Sequence, residues 1–321
     1  MQRLHHLLHG YPALGPAAVL LISIVVFGLI NNRFFAPTNL SLITQQVAVV
    51  GSLAIGQTLI ILTAGIDLSV GAVMLFTSMV MARTVLAFGL PGEVSLILGL
   101  LTGGLAGLAN GLLVTRLRLP PFIVTLGTLN IFQALMLLYS SGQTIQEKDL
   151  PSILLATGRT IDLGPFRLTT GVLLMVAMYV VFTIVLRNTA WGKHVHAVGD
   201  DAEAARLAGI SVNRTLVSVY ITAGVVFAIS AWILIGRIGA ASPNAGADAN
   251  LDSITAVVIG GTSLFGGRGI LLGSLIGALI VGVFRNGLAL AGVDVLYQTL
   301  AVGFLVIAAV AIDQWIRRVR T

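Results

Sequence analysis

Few side chains in this sequence have both the type and the spacing to do chemistry. Its five histidines are His5, His6, His9, His194 and His196. A Ser-His relay or a His-ligated metal would need several of them to converge, and all five lie outside the long apolar stretches of the chain. His194 and His196 read as loop residues, so neither a catalytic set nor a metal site is expected. Cysteine is absent, which removes disulfides, thiolate ligands and thiol nucleophiles. A Gly-xxxx-Gly-Lys-Ser/Thr phosphate loop is also absent, since Lys193 follows Gly192 but precedes His194. Neither a nucleotide-phosphate site nor a cofactor is therefore expected on this chain.

One acid stands apart. The segment Gly65-Ile66-Asp67-Leu68-Ser69-Val70-Gly71 places Asp67 between two apolar runs, where an ionisable side chain is costly and so usually functional. Three roles are open to it: capping the helix that follows, lining a solute path, or carrying a proton. Neutral polar groups accompany it in the apolar runs, namely Gln45, Gln57, Ser69, Thr125, Thr128, Asn130 and Gln133. On a helix Thr125 and Thr128 share one face, and Asn130 and Gln133 share another. Such groups suit a neutral polyhydroxylated solute better than an ion, although they also hold membrane helices together.

The elements that position these groups are set by composition. Hydrophobic residues make up 57% and charged residues 9% of the 321, with a mean hydropathy of +1.01; a soluble domain carries roughly 25% charged residues. Apolar runs near the ~20 residues that cross a bilayer as a helix recur at 12–30, 40–63, 69–88, 94–115, 121–139, 169–186, 216–236, 252–264, 270–284 and 293–312. They are continuously apolar and do not alternate, which selects helices over a β-barrel. The expected fold is all-α, a polytopic membrane protein of about ten transmembrane helices forming one domain over 1–321. The run at 12–30 is too long for a signal-peptide core and lacks a small-residue cleavage site, so it reads as a retained signal anchor.

The formal charge of +6 is spread over loop ends and forms no stripe, so nucleic acid is not expected. With the N-terminus inside, Arg3, Arg116, Arg118, Arg187, Lys193, Arg206, Arg214, Arg268, Arg317, Arg318 and Arg320 are cytoplasmic, eleven basic residues against seven outside. Both termini are then cytoplasmic. Gly99-xxx-Gly103 with Asn110-Gly111-Leu112 matches Gly273-xxx-Gly277 with Asn286-Gly287-Leu288 five spans later. An offset of five would make the copies cross in opposite directions, as in the inverted repeats of transporters; small residues spaced by four are also ordinary helix packing. The charge-free stretch 34–66 exceeds one straight crossing and suggests a broken or strongly tilted helix.

The loop at 188–214 is the most specific feature. Asp200 or Asp201 can cap a short helix, acids such as Glu203 occupy its first turn, Arg206 sits near its end, and Gly209 stops it. Spanning a membrane requires no such helix, and its surface around Ala204 and Ala205 suits docking in a partner's groove.

This loop, the Gly65–Gly71 segment and Val258-Ile259-Gly260-Gly261-Thr262-Ser263-Leu264-Phe265-Gly266-Gly267-Arg268-Gly269 together resemble the permease subunits of bacterial ribose-type ABC sugar importers. The three motifs cover most of the chain in the family's order and spacing. The resemblance implies a permease in the inner membrane that is not itself an enzyme. It implies an ATP-binding cassette subunit that carries ATP and magnesium, a periplasmic sugar-binding protein, and a second permease copy, usually identical. Asp200, Asp201, Glu203, Ala204, Ala205, Arg206 and Gly209 would form the element that couples to the ATPase. The family has Gly-Asn where this chain carries Asp200-Asp201; Asp caps as Asn does, but adds charge at the partner surface. The Gly266–Gly269 turn would reverse the chain at the cytoplasmic face, with Arg268 set against lipid phosphate or the ATPase. The competing reading is an ion-coupled secondary transporter with Asp67 as its proton site, which leaves the loop helix without a purpose. A membrane-embedded enzyme lacks an acid, base and nucleophile in one plane.

Overall fold

The computed structural model describes residues 14–246, 248–304 and 307. It consists of apolar helices with two minor two-stranded sheets. The helices are α1 (Leu14–Ile30), α2 (Pro37–Leu62), α3 (Val70–Phe88), α4 (Gly92–Arg116), α5 (Pro121–Ser140) and α6 (Thr170–Asn188). They continue as α7 (Ala190–Asp200), α8 (Ala202–Leu207), α9 (Val212–Ile238), α10 (Ala249–Ile259), α11 (Leu271–Leu290) and α12 (Val295–Phe304). Among the described residues, seven of these are long and apolar enough to cross a membrane: α2 to α6, α9 and α11. α1 and α12 correspond to the expected first and last spans, whose outer parts lie beyond the described residues.

Two expectations are corrected. The run at 252–264 forms no full crossing: α10 has 11 residues, about 16 Å at 1.5 Å per residue, half of the ~30 Å hydrocarbon core. The stretch 34–66 holds no break, because α2 is one continuous helix of 26 residues. Its glycines serve close packing: a Cβ on Gly51 would meet the Met175 sulfur at 2.6 Å, and one on Gly56 the Phe227 ring at 2.5 Å. Pro37 and Pro121 open α2 and α5, at positions where a missing amide costs no helical bond.

α2 runs through the centre of the bundle, its C-terminal half fully enclosed. The matched Gly-xxx-Gly faces are both helix crossings at backbone distance. On α4, a Cβ at Gly103 would lie 2.4 Å from the Gly224 carbonyl oxygen of α9, and one at Gly107 2.0 Å from that of Tyr220. On α11, a Cβ at Gly277 would lie 1.8 Å from the Ala256 oxygen of α10. Close backbone approach lets apolar helices gain dispersion contacts where lipid removes the hydrophobic drive.

The ends of the helices sort onto two faces. On one, the Gly267 amide donates to the Leu62 carbonyl at 3.0 Å, joining the ends of α2 and α10. On the other, β1 (Ile145–Gln146) pairs antiparallel with β4 (Ala240–Ala241), joining the segment after α5 to the end of α9. The rest of that segment folds as a hairpin of β2 (Thr160–Leu163) and β3 (Phe166–Thr169). The first face carries α7 and α8, with the α4–α5 turn.

Candidate functional site

Two polar regions emerge, one buried and one protruding. The buried one surrounds Gly65–Gly71, which connects α2 to α3. Asp67 is 2% exposed. Its Oδ1 accepts from the Ser69 amide and the Ser69 hydroxyl, both at 2.6 Å. These bonds order the turn ahead of α3 but reach no amide of its first turn, so Asp67 does not cap that helix in the expected way. The segment is held from three sides. Gln57 Nε2 donates to the Asp67 carbonyl at 3.2 Å, Thr125 Oγ1 to the Ile66 carbonyl at 3.1 Å, and Asn110 Nδ2 to the Ser69 hydroxyl at 3.0 Å. Gln57 Oε1, Asn110 Oδ1 and the Tyr220 hydroxyl are buried with no hydrogen-bond partner among the described residues, an arrangement that costs about 1–3 kcal/mol per atom.

The residues grouped from the sequence as one path thus divide. Gln57, Asp67, Ser69 and Thr125 converge, and Thr128 is buried on the same side of α5, bonded to the Thr125 carbonyl. Asn130 and Gln133 lie on the opposite, exposed face of α5, and Gln45 is half-buried on α2. On α5 the division follows from helical phase: residues three apart, as within each pair, share a face, whereas the two residues from Thr128 to Asn130 turn the side chain to the opposite side.

The protruding region is the loop at 188–214, which holds two helices where one was expected. α7 is capped by Thr189, whose Oγ1 accepts from the Gly192 amide at 3.2 Å. Its last turn is pressed onto the bundle: a Cβ on Gly199 would lie 1.7 Å from the Leu62 carbonyl oxygen. His196 Nδ1 is within hydrogen-bonding distance, 3.2 Å, of the Gly267 carbonyl, which gives this histidine a structural partner. Of the two candidate caps, Asp201 is the one used, its Oδ1 accepting from the Glu203 and Ala204 amides at 2.9 Å each. Asp200 is exposed at the end of α7. Arg206 pairs with Glu203 at 3.0 Å on the exposed surface, a contact worth little in water.

Ala205 is the buried anchor of α8, whereas Ala204 is exposed. Gly209 takes a φ of +87° that ends the helix. Leu207, at the tip, is 83% exposed; sequence patterning passes over it because one Leu among alanines looks like core. Beside α8 a groove of about 820 Å³ is lined by Arg118, Pro120, Pro121, Arg206 and Asn213. The reversal at Gly266, Gly267 and Gly269 is confirmed by φ values of +85°, +70° and +159°, with Arg268 exposed.

A further cluster has no counterpart in the sequence reading, which placed Arg285 just past an apolar run. Arg285 on α11 donates to Asp252 at 2.7 and 3.1 Å and to Asp248 at 3.2 Å, at the N-terminal end of α10. Two acids and one arginine inside a long apolar region were the available signal.

Seven helices long and apolar enough to cross a membrane among the described residues, with a capped helix projecting from one face, define a multi-pass membrane protein. Residues 39–310 match the model of the family described as branched-chain amino acid transport system / permease component, and the chain belongs to that family. It is 51% identical over 323 residues to the fructose import permease protein of Rhizobium meliloti, covering 99% of this chain and 90% of that one. It is 38% identical over 301 residues to the ribose import permease protein of Bacillus subtilis, with 94% and 92% covered. The D-allose transport system permease protein of Escherichia coli K12 is 34% identical over 313 residues, with 95% and 92% covered. No solved structure matches.

Proposed function

We propose that this chain is the membrane-spanning subunit of an ATP-driven importer and forms the passage for a monosaccharide handed over by a periplasmic binding protein. The observation that carries the proposal is the mechanical link from the exposed helix α8 to the centre of the bundle. α7 bears on the Leu62 carbonyl at the end of α2, and the Asp67 segment begins directly after it. An ATP-binding cassette subunit, which carries ATP and magnesium, docks on α8 through Asp200, Asp201, Glu203, Ala204, Arg206 and the exposed Leu207. Movement of α8 is then passed to α2 and Gly65–Gly71 without an intervening flexible joint. The unpartnered atoms of Gln57, Asn110 and Tyr220 suit a segment that exchanges partners between two states.

In this reading the face bearing α8 is cytoplasmic, as are both termini, in a bacterial inner membrane, and the basic residues at that face obey the positive-inside bias. Two copies of the chain enclose the passage. The exposed face of α5, with Asn130 and Gln133, meets the second copy and the solute, and Thr125 holds it to the Asp67 segment, with Thr128 lining the same buried side. The matched Gly-xxx-Gly halves move against each other as an inverted repeat, and weak neutral contacts suffice because the binding protein selects the sugar.

The test is uptake of labelled fructose, ribose and allose by cells with and without this chain. Uptake that survives a protonophore but is lost on ATP depletion supports the proposal. Loss with the protonophore alone, with ATP intact, would replace it with ion coupling at Asp67.

A further inference from the structure

The two halves of the chain share a short motif, and the helices that follow its two copies touch. Ala64-Gly65-Ile66-Asp67 precedes α3, and Ala245-Gly246-Ala247-Asp248 precedes α10. Each motif bends through a left-handed residue, Ala64 at φ +60° and Gly246 at φ +74°. α3 departs from the junction toward the face carrying β1 and β4, and α10 departs toward the face carrying Gly267. Their N-termini therefore lie back to back inside the bundle.

The contact between them is specific. α3 receives no cap from its own N-cap residue, Ser69. Instead, the side-chain carbonyl of Asn250 accepts a hydrogen bond from the Gly71 amide. Gly71 is the second residue of α3 and Asn250 the second of α10, so the two helices touch at their first turns. The glycine is needed for this approach, because a Cβ on Gly71 would lie 2.9 Å from Asn250 Oδ1. Arg285 fixes the first turn of α10 through Asp252 and Asp248. The carboxylates of Asp67, Asp248 and Asp252 surround two helix ends that each carry partial positive charge.

We propose that Asn250 is a positioning residue for transport: it caps α3 from the other half of the chain and ties Gly65–Gly71 to the second half. The Asp252–Arg285 pair holds Asn250 in place. The Asp67 segment is then braced at both ends, by Leu62 next to the loop helices and by Asn250 at the junction of the two halves. This inference rests on the permease reading.

The test uses the assembled importer in proteoliposomes, with labelled fructose as probe and ribose where fructose is not taken up. Wild-type uptake checks the permease reading by itself. Asn250→Ala is expected to lower the maximal rate by about tenfold and leave the half-saturating sugar concentration within about twofold, the pattern of an interaction used in turnover and not in binding. Asn250→Gln keeps a side-chain carbonyl acceptor without adding a further carboxylate beside Asp67, Asp248 and Asp252, and is expected to restore uptake.

A second readout needs no transport. The chain has no native cysteine, so Leu68→Cys is a single reporter thiol, and loss of the cap is expected to speed its labelling by about tenfold, as for a loss of ~1.4 kcal/mol. Unchanged labelling in Asn250→Ala, wild-type uptake by Asn250→Ala, or an Asn250→Gln variant as slow as Asn250→Ala would each overturn the proposal. Should Asn250→Ala fail to accumulate, Asn250→Gln decides: near-wild-type uptake per accumulated transporter upholds the proposal, and uptake about tenfold lower overturns it.

Discussion

The Gly267 amide and the Leu62 carbonyl are joined at 3.0 Å, and Gly199 rests on that same carbonyl. The end of α2, the end of α7 and the glycine turn before α11 are thereby one rigid corner. In the proposed coupling, because interiors are close-packed and resist compression, a push on α7 and α8 is expected to move the corner as a unit. What lies beyond the corner is Gly65–Gly71, with its buried carboxyl group.

Gly199→Ala tests the corner directly. Its Cβ would lie 1.7 Å from a backbone oxygen, which no rotamer change relieves, so α7 must lift away from α2. Uptake per mole of membrane-inserted protein is expected to fall by at least about tenfold, equivalent to ~1.4 kcal/mol. Uptake equal to wild type would show that the corner transmits nothing.

Gly209→Val acts by a different route. No atom lies within 4 Å of a Cβ there, so the effect is conformational: a β-branched residue at φ +87° is strained by about 1–3 kcal/mol. Insertion and thermal stability of the bundle are expected to stay near wild type, while coupled ATP hydrolysis and uptake fall together. Gly209→Asn, which tolerates left-handed backbone, is expected to retain most of both.

Asp201→Ala removes the acceptor for the Glu203 and Ala204 amides and is expected to weaken α8 by about 1 kcal/mol. Hydrogen exchange at those amides should quicken about fivefold, and Asp201→Asn should leave it unchanged.

Asn39 and Asn286 exchange reciprocal amide bonds at 2.9 and 2.8 Å between α2 and α11. A double-mutant cycle with leucine at each position is expected to give a coupling of about 0.6–1.7 kcal/mol in detergent melting. A coupling near zero would mean that lipid-exposed states satisfy these amides equally well.

The helices were legible because hydropathy alone dictates them, and the loop helix because Asp201, Arg206 and Gly209 are local signals. α7 was missed because its outward surface is polar and its inward one rests on Gly192 and Gly199, which composition reads as loop. α10 was overestimated because the apolar run continues through Gly260 and Gly261 into a turn, and only tertiary contacts reveal where helix ends. Asp67 could be located but not assigned: its partners Asn110, Gln57 and Thr125 come from three helices, and nothing in linear spacing brings them together. The Arg285 cluster depends on the same long-range geometry.

The most direct measurement is sugar accumulation in proteoliposomes holding this chain with its ATPase subunit and binding protein, at zero proton gradient, with and without enclosed ATP. Accumulation that requires ATP and is indifferent to an imposed proton gradient is the expected result. Accumulation by this chain alone under a proton gradient, abolished by Asp67→Asn, would contradict it.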